Sequence, residues 1–202
     1  MSRIAVFMGS PRKKGNTDLL ADSFIKGAEK AGARCEKVFL NSVRISPCLE
    51  CGGCDKTGEC VLRDDMTEIY PLISEADVVV VASPMFFYNI TAATQALVER
   101  AQALWIRKYV LKQSPSARRK RNGFFISVGA TRGRLLFDGA CRVIRYFYDA
   151  IDVEYRGALL YRGLDAKGAV IEHMSALAEA EALGRAAGDG SELSETGFSL
   201  IK

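Results

Sequence analysis

Histidine is nearly missing from this 202-residue chain: His173 is the only one. A mixed Cys/His zinc site is thereby disfavoured, and a Ser/His/Asp hydrolase lacks its local signature, since no G-x-S-x-G occurs. Long apolar runs are missing too. None approaches the roughly 18 residues that span a bilayer, and only Ile-Ala-Val-Phe-Met separates Arg3 from a Gly-Ser-Pro turn, so no secretory leader is read there. A cytoplasmic protein without a membrane partner is expected. A strong excess of one charge is also missing. The net charge is +4, and the run Arg118, Arg119, Lys120, Arg121 accounts for all of it. No aromatic platform or second basic block accompanies that run, so it reads as a solvated loop before a strand, and no nucleic-acid partner is expected. Hydrophobic residues at 49% and charged ones at 26% exclude disorder and collagen-like structure.

What is present is an alternation of strand-length apolar runs and helix-period stretches. Residues 4–8, 36–40, 78–82, 124–128 and 153–160 read as five strands rich in Val, Ile and Phe. Between them Leu19, Leu20, Phe24, Ala28 and Ala31 recur at helical steps, as do Ala93, Ala96, Leu97, Arg100, Ala101 and Leu104. Such alternation predicts a parallel sheet covered on both faces, doubly wound in the order 2-1-3-4-5, with ligands outside the carboxyl ends of the strands. A single domain over 1–187 is expected, with a tail at 188–202. An insertion at about 41–65 follows strand 2. Asp65 and Glu68 read as a capping box opening a helix to about residue 76, and AVIEHMSALAEA, which contains His173, reads as one helical segment.

Three loops fall at the carboxyl edge. GSPRKKGNT, residues 9–17, joins a strand to a helix, and Ser10, Asn16 and Thr17 bring donors to the helix start while Arg12, Lys13 and Lys14 add charge. A helix N-terminus is an anion site. The loop is neither a Walker A motif nor a G-x-G-x-x-G fingerprint, so it suits a monophosphate; an ordinary turn capped by Asn16 or Thr17 is the alternative. After strand 3, Pro84 ends the run and sets Met85, Phe86, Phe87 and Tyr88 in a loop with Asn89, with Thr91 as the cap of the next helix. Packing between loop and helix would explain them; so would a flat aromatic ligand. GATRG after strand 4 adds Thr131 and Arg132. Together, an anion cradle beside an aromatic slot suits flavin mononucleotide, FMN.

Four of the six cysteines are clustered: Cys48, Cys51, Cys54 and Cys60, spaced C-x2-C-x2-C-x5-C. Two-residue spacing curls successive thiolates round one small object. An iron-sulfur cluster, zinc, and structural or redox-labile thiols all remain open, with the consecutive spacing favouring iron-sulfur over the paired motifs of zinc. Cys35, placed before strand 2, and Cys141 read as small core residues.

GSPRKKGNT, CLECGGCDKTGEC followed by DDM, and SPMFFYNITAA together resemble the iron-sulfur flavoproteins of the wider NADPH-dependent FMN reductase group, which are flavodoxin-like. The resemblance runs in order over about residues 3–133. It implies FMN held at its phosphate by Ser10, Arg12, Asn16 and Thr17, with Pro84, Met85, Phe86, Tyr88, Asn89 and Thr131 around the ring. It implies a [4Fe-4S] cluster on Cys48, Cys51, Cys54 and Cys60, and no catalytic acid or base. It further implies a homo-oligomer, dimer or tetramer, in which one protomer's cluster approaches a neighbour's flavin, and electrons drawn from a ferredoxin-type donor or NAD(P)H. Two other functions compete: an NAD(P)H-dependent FMN or quinone reductase whose cysteines hold zinc or no metal, and a non-enzymatic metal-binding interaction module.

Overall fold

A computed structural model describes residues 1–113 and 120–190. Five strands, β1 (Arg3–Met8), β2 (Arg34–Phe39), β3 (Val78–Ala82), β4 (Asn122–Gly129) and β5 (Glu154–Arg162), form one sheet in the order β2-β1-β3-β4-β5 with every pairing parallel. The expected doubly wound topology is therefore found. Six α-helices flank it among the described residues: α1 (Asn16–Lys30), α2 (Met66–Glu75), α3 (Ala92–Arg100), α4 (Gln102–Trp105), α5 (Asp138–Ala150) and α6 (Ala176–Asp189).

The unbroken apolar runs follow from burial on both faces. Ile4, Val6 and Met8 of β1, Val78 and Val80 of β3, and Phe124 and Ile126 of β4 join the layer under α1 and α6. Their neighbours Ala5, Phe7, Val79, Val81 and Phe125 join the opposite layer under α2, α3 and α5. A period of two thus feeds two cores from one sequence. Tyr148 of α5 is wholly buried, and its hydroxyl donates to the Phe124 carbonyl (2.5 Å) and accepts the Val81 N–H (3.2 Å), beside the register shift between Gly123 and Phe124. Helices α1 and α6 meet backbone to backbone, for a Cβ at Gly184 would lie 1.9 Å from the Phe24 carbonyl oxygen.

Several local expectations are corrected. Cys35 lies inside β2, which starts at Arg34, and β5 starts at Glu154 and runs to Arg162. Asp65 does not cap α2. Its own backbone is already helical and its carboxylate accepts the Arg44 N–H (2.7 Å), while the neighbouring Asp64 accepts the Met66 N–H (3.1 Å). AVIEHMSALAEA is two pieces, a 3-10 turn over Ala169–Glu172 and then α6, with His173 in the break and its ring against Tyr161. Helix α6 continues through Asp189 to a left-handed Gly190, past the start of the expected tail; residues 191–202, like Arg118 and Arg119 of the basic run, lie outside the described residues.

Candidate functional site

The loops leaving β1, β3 and β4 converge at the carboxyl edge, as read from the sequence. Strand β1 leads into Gly9, whose N–H donates to the Ala82 carbonyl (2.8 Å) and whose carbonyl accepts from Thr91 Oγ1 (2.9 Å) and Asn41 Nδ2 (3.1 Å). No side chain fits at Gly9, since a Cβ would stand 1.9 Å from Thr94 Oγ1. Thr91 caps α3 by accepting the Thr94 N–H (3.4 Å). Helix α1 starts without a side-chain cap, and its first turn holds the buried Asn16 and Thr17. The Asn16 amide is fully engaged: Nδ2 donates to the carbonyls of Leu164 (3.3 Å) and Ala166 (2.9 Å), and Oδ1 accepts the Val170 N–H (3.1 Å). What Asn16 offers an anion is therefore its backbone, while its side chain ties the loop to the segment after β5. Ser10 Oγ is buried beside it and accepts the Arg12 N–H (3.2 Å).

Ser10, Arg12, Asn16, Thr17, Pro84, Met85 and Phe86 line one cleft of about 130 Å³. Tyr88, Asn89 and Thr131 lie outside that lining. Asn89 turns back on itself, its Oδ1 accepting the Ile90 N–H (2.8 Å); the Tyr88 hydroxyl sits 2.4 Å from where a Cβ on Gly133 would be; and the Thr131 carbonyl accepts the Gly163 N–H (3.3 Å). The structure adds Leu164, Asp165 and Lys167 from the loop after β5. Sequence reasoning passed over them, although GLDAKG sits at the same edge with Gly163 and Gly168 at positive φ (74° and 83°). Phe86 and Asn89 exchange both backbone hydrogen bonds (2.8 and 3.0 Å) across a two-residue turn in which Phe87 (φ 49°) and Tyr88 (φ 61°) are both left-handed. Such turns ordinarily carry Asn and Gly. Phe87 is fully exposed at its tip.

The insertion builds a second cleft. Cys48, Cys51, Cys54 and Cys60 all border a space of about 770 Å³ together with Glu99 and Arg100. Among the described residues no three His, Cys, Asp or Glu side chains stand close enough to hold a single metal ion. Turns at Glu50 (φ 51°), Gly52 (φ 67°) and Gly58 (φ 70°) curl the chain round it. Burial, then the charge of Asp55, pushes the Cys54 thiol pKa up against the lowering by a backbone N–H. Cys35 and Cys141 are elsewhere, each half-buried against a core layer, and burial raises both thiols, Cys35 to about 11.

One ion pair anchors this insertion. Arg100 Nη1, at the end of α3, donates to Asp64 Oδ2 (2.6 Å) and to the Ser46 carbonyl (3.0 Å), and the Ser46 N–H donates to the same carboxylate (2.9 Å). Burial opposes the charge of Asp64, but the hydrogen bonds from Arg100, Ser46 and Met66 outweigh it and hold the carboxyl pKa down. Tyr70 donates to the Arg100 carbonyl (2.8 Å), and Arg107 Nε to the Gly58 carbonyl (2.8 Å). The only sequence signal of this pair was an arginine in the apolar stripe of α3.

The chain is 43% identical over 93 residues to an iron-sulfur flavoprotein of Archaeoglobus fulgidus, covering 46% of this chain and 42% of that protein. It is 32% identical over 130 residues to an iron-sulfur flavoprotein of Methanosarcina thermophila, covering 64% of each. The chain thus matches less than two thirds of these relatives' length. An NAD(P)H:quinone oxidoreductase structure from Methanothermobacter marburgensis superposes with a TM-score of 0.70 at 16% identity, over 92% of this chain and 96% of that one, a likeness of fold. Residues 2–154 match the NADPH-dependent FMN reductase family, and the chain belongs to that family.

Proposed function

We propose that this protein is a redox flavoprotein that binds FMN at the carboxyl edge of the sheet and a [4Fe-4S] cluster on Cys48, Cys51, Cys54 and Cys60, and that passes electrons from a ferredoxin-type donor or NAD(P)H to an acceptor. The observation that carries the proposal is the second cleft: four cysteines border it, and the buried Arg100 that lines it keeps two unpaired donors, Nε and Nη2. Four thiols beside a buried cation suit a sulfur-rich anion. The first cleft suits a planar phosphate ester, with an uncapped 15-residue helix start, two buried hydroxyls and Arg12 on one side and Pro84, Met85 and Phe86 on the other.

When bound, the cluster supplies one-electron exchange and the flavin pairs electrons, so the redox chemistry belongs to the cofactors. The chain's own part is to hold and to shield. Ser10, Thr17 and the first N–H groups of α1 hold the phosphate, and Pro84, Met85 and Phe86 keep water from the ring. No side chain needs to act as acid or base. A homo-oligomer, dimer or tetramer, belongs to the proposal; the exposed Trp105 and Tyr146, which border a groove of about 370 Å³ between α4 and α5, support it, and sedimentation equilibrium measures it.

Anaerobic purification with iron, sulfide and FMN quantified per chain tests this reading. About four irons, four sulfides and one FMN are expected. FMN with zinc, or with fewer than about two irons, would establish the plain FMN or quinone reductase instead; neither flavin nor iron would point to an interaction module.

A further inference from the structure

Arg100 sits where the helical period of α3 calls for an apolar residue, and its side chain is wholly withdrawn from solvent. A guanidinium carries five N–H donors in a rigid fork. Nη1 is occupied by Asp64 and Ser46. Nε and Nη2 are buried and have no hydrogen-bond partner. Buried donors are costly to leave unpaired, so the ones that persist in a native fold call for an explanation. Here both belong to a residue lining the cleft that all four clustered cysteines border.

We propose that Arg100 is a positioning residue for the group held by the four cysteines, its Nε and Nη2 donating hydrogen bonds to sulfur and so favouring the group's more negative, reduced state. The inference rests on the reading that this group is a [4Fe-4S] cluster. Hydrogen bonds to cluster sulfurs are one of the means by which a protein sets cluster potential.

Two variants isolate the donors from charge. The double variant Arg100→Gln/Asp64→Asn replaces a neutral ion pair with a neutral amide pair, and Arg100→Lys keeps the pair while removing the fork. With wild type, they are loaded with cluster and FMN anaerobically and titrated potentiometrically, the cluster followed by electron paramagnetic resonance and the flavin by absorbance. Resonance Raman reports the Fe–S stretches. The expected result is a fall of at least tenfold in the cluster's reduction equilibrium in the double variant, about 59 mV for a one-electron couple. A smaller fall is expected in Arg100→Lys, with Fe–S stretches shifted in both and the flavin midpoint unmoved. An unmoved cluster midpoint, or a parallel shift of both midpoints, overturns the inference while a wild-type count of four irons still stands. A wild type that assembles no cluster overturns the reading beneath it and the inference with it. If circular dichroism shows the double variant unfolded, Arg100→Lys decides alone.

Discussion

Asp64 holds three donors from three parts of the chain: Ser46 in the insertion, Met66 at the start of α2, and Arg100 at the end of α3. Removing one partner of so buried a pair leaves the other uncompensated, a loss of about 3–5 kcal/mol. Asp64→Ala should therefore lower stability by roughly 3 kcal/mol in urea unfolding of the apo chain, and Asp64→Asn by less. The pH dependence has a definite sign. The folded pKa lies below the unfolded value, so this contribution is complete above about pH 4 and is lost as pH falls through the folded pKa. The urea midpoint of wild type should fall below about pH 4 more steeply than that of Asp64→Asn. Arg100 was legible in sequence as a member of an apolar stripe, but its partner stands 36 residues away and no local pattern links them. Asp65 was misread because a capping box depends on where the carboxylate points, and here the insertion's Arg44 N–H takes it. Cys54→Ser should abolish iron-sulfide absorbance while FMN is retained, because the two clefts share no lining residue; joint loss of both cofactors would show that they are not separately built.

At the scale of elements, the turn Phe86–Asn89 is the clearest conflict between local preference and observed backbone. Two aromatic residues are held at positive φ where Asn-Gly is preferred, a strain of about 1–3 kcal/mol at each. Replacing Phe87 and Tyr88 by Asn and Gly should raise the thermal midpoint of the apo chain, while FMN retention on gel filtration stays as in wild type because neither side chain lines the first cleft; a lower midpoint would contradict the strain, and a loss of FMN would bring the turn into the flavin site. The contact of α1 with α6 fails in the opposite direction. Gly184→Val drives a side chain into the Phe24 carbonyl, and a loss of about 3 kcal/mol or more is expected by urea unfolding. The strands were readable because burial on both faces of β1, β3 and β4 keeps their runs apolar, the buried Ser127 of β4 apart, whose hydroxyl donates to the Ser83 carbonyl. The loop after β5 was not, because its contribution rests on the Asn16 amide reaching the carbonyls of Leu164 and Ala166 across the edge.

At the scale of the whole molecule, α3 connects the two clefts. Its cap Thr91 bonds Gly9 beside the first, and its last residue Arg100 lines the second. Nine residue steps between them amount to about 14 Å of helix. One rigid element therefore fixes the spacing of the two clefts within one chain. Five parallel strands, the loop after strand 1, the cysteine insertion and the helical stretch capped by Thr91 were all legible in the sequence; that this helix runs from one cleft to the other was not, because the partners at its two ends, Gly9 and Asp64, stand far off in the chain. The most direct measurement of the central claim is an anaerobic reductive titration that counts electrons taken up per chain. A chain holding one FMN and one cluster, both in redox contact, takes up about three electrons, two on the flavin and one on the cluster. An end point at two, with the flavin fully bleached and no further uptake, would contradict it.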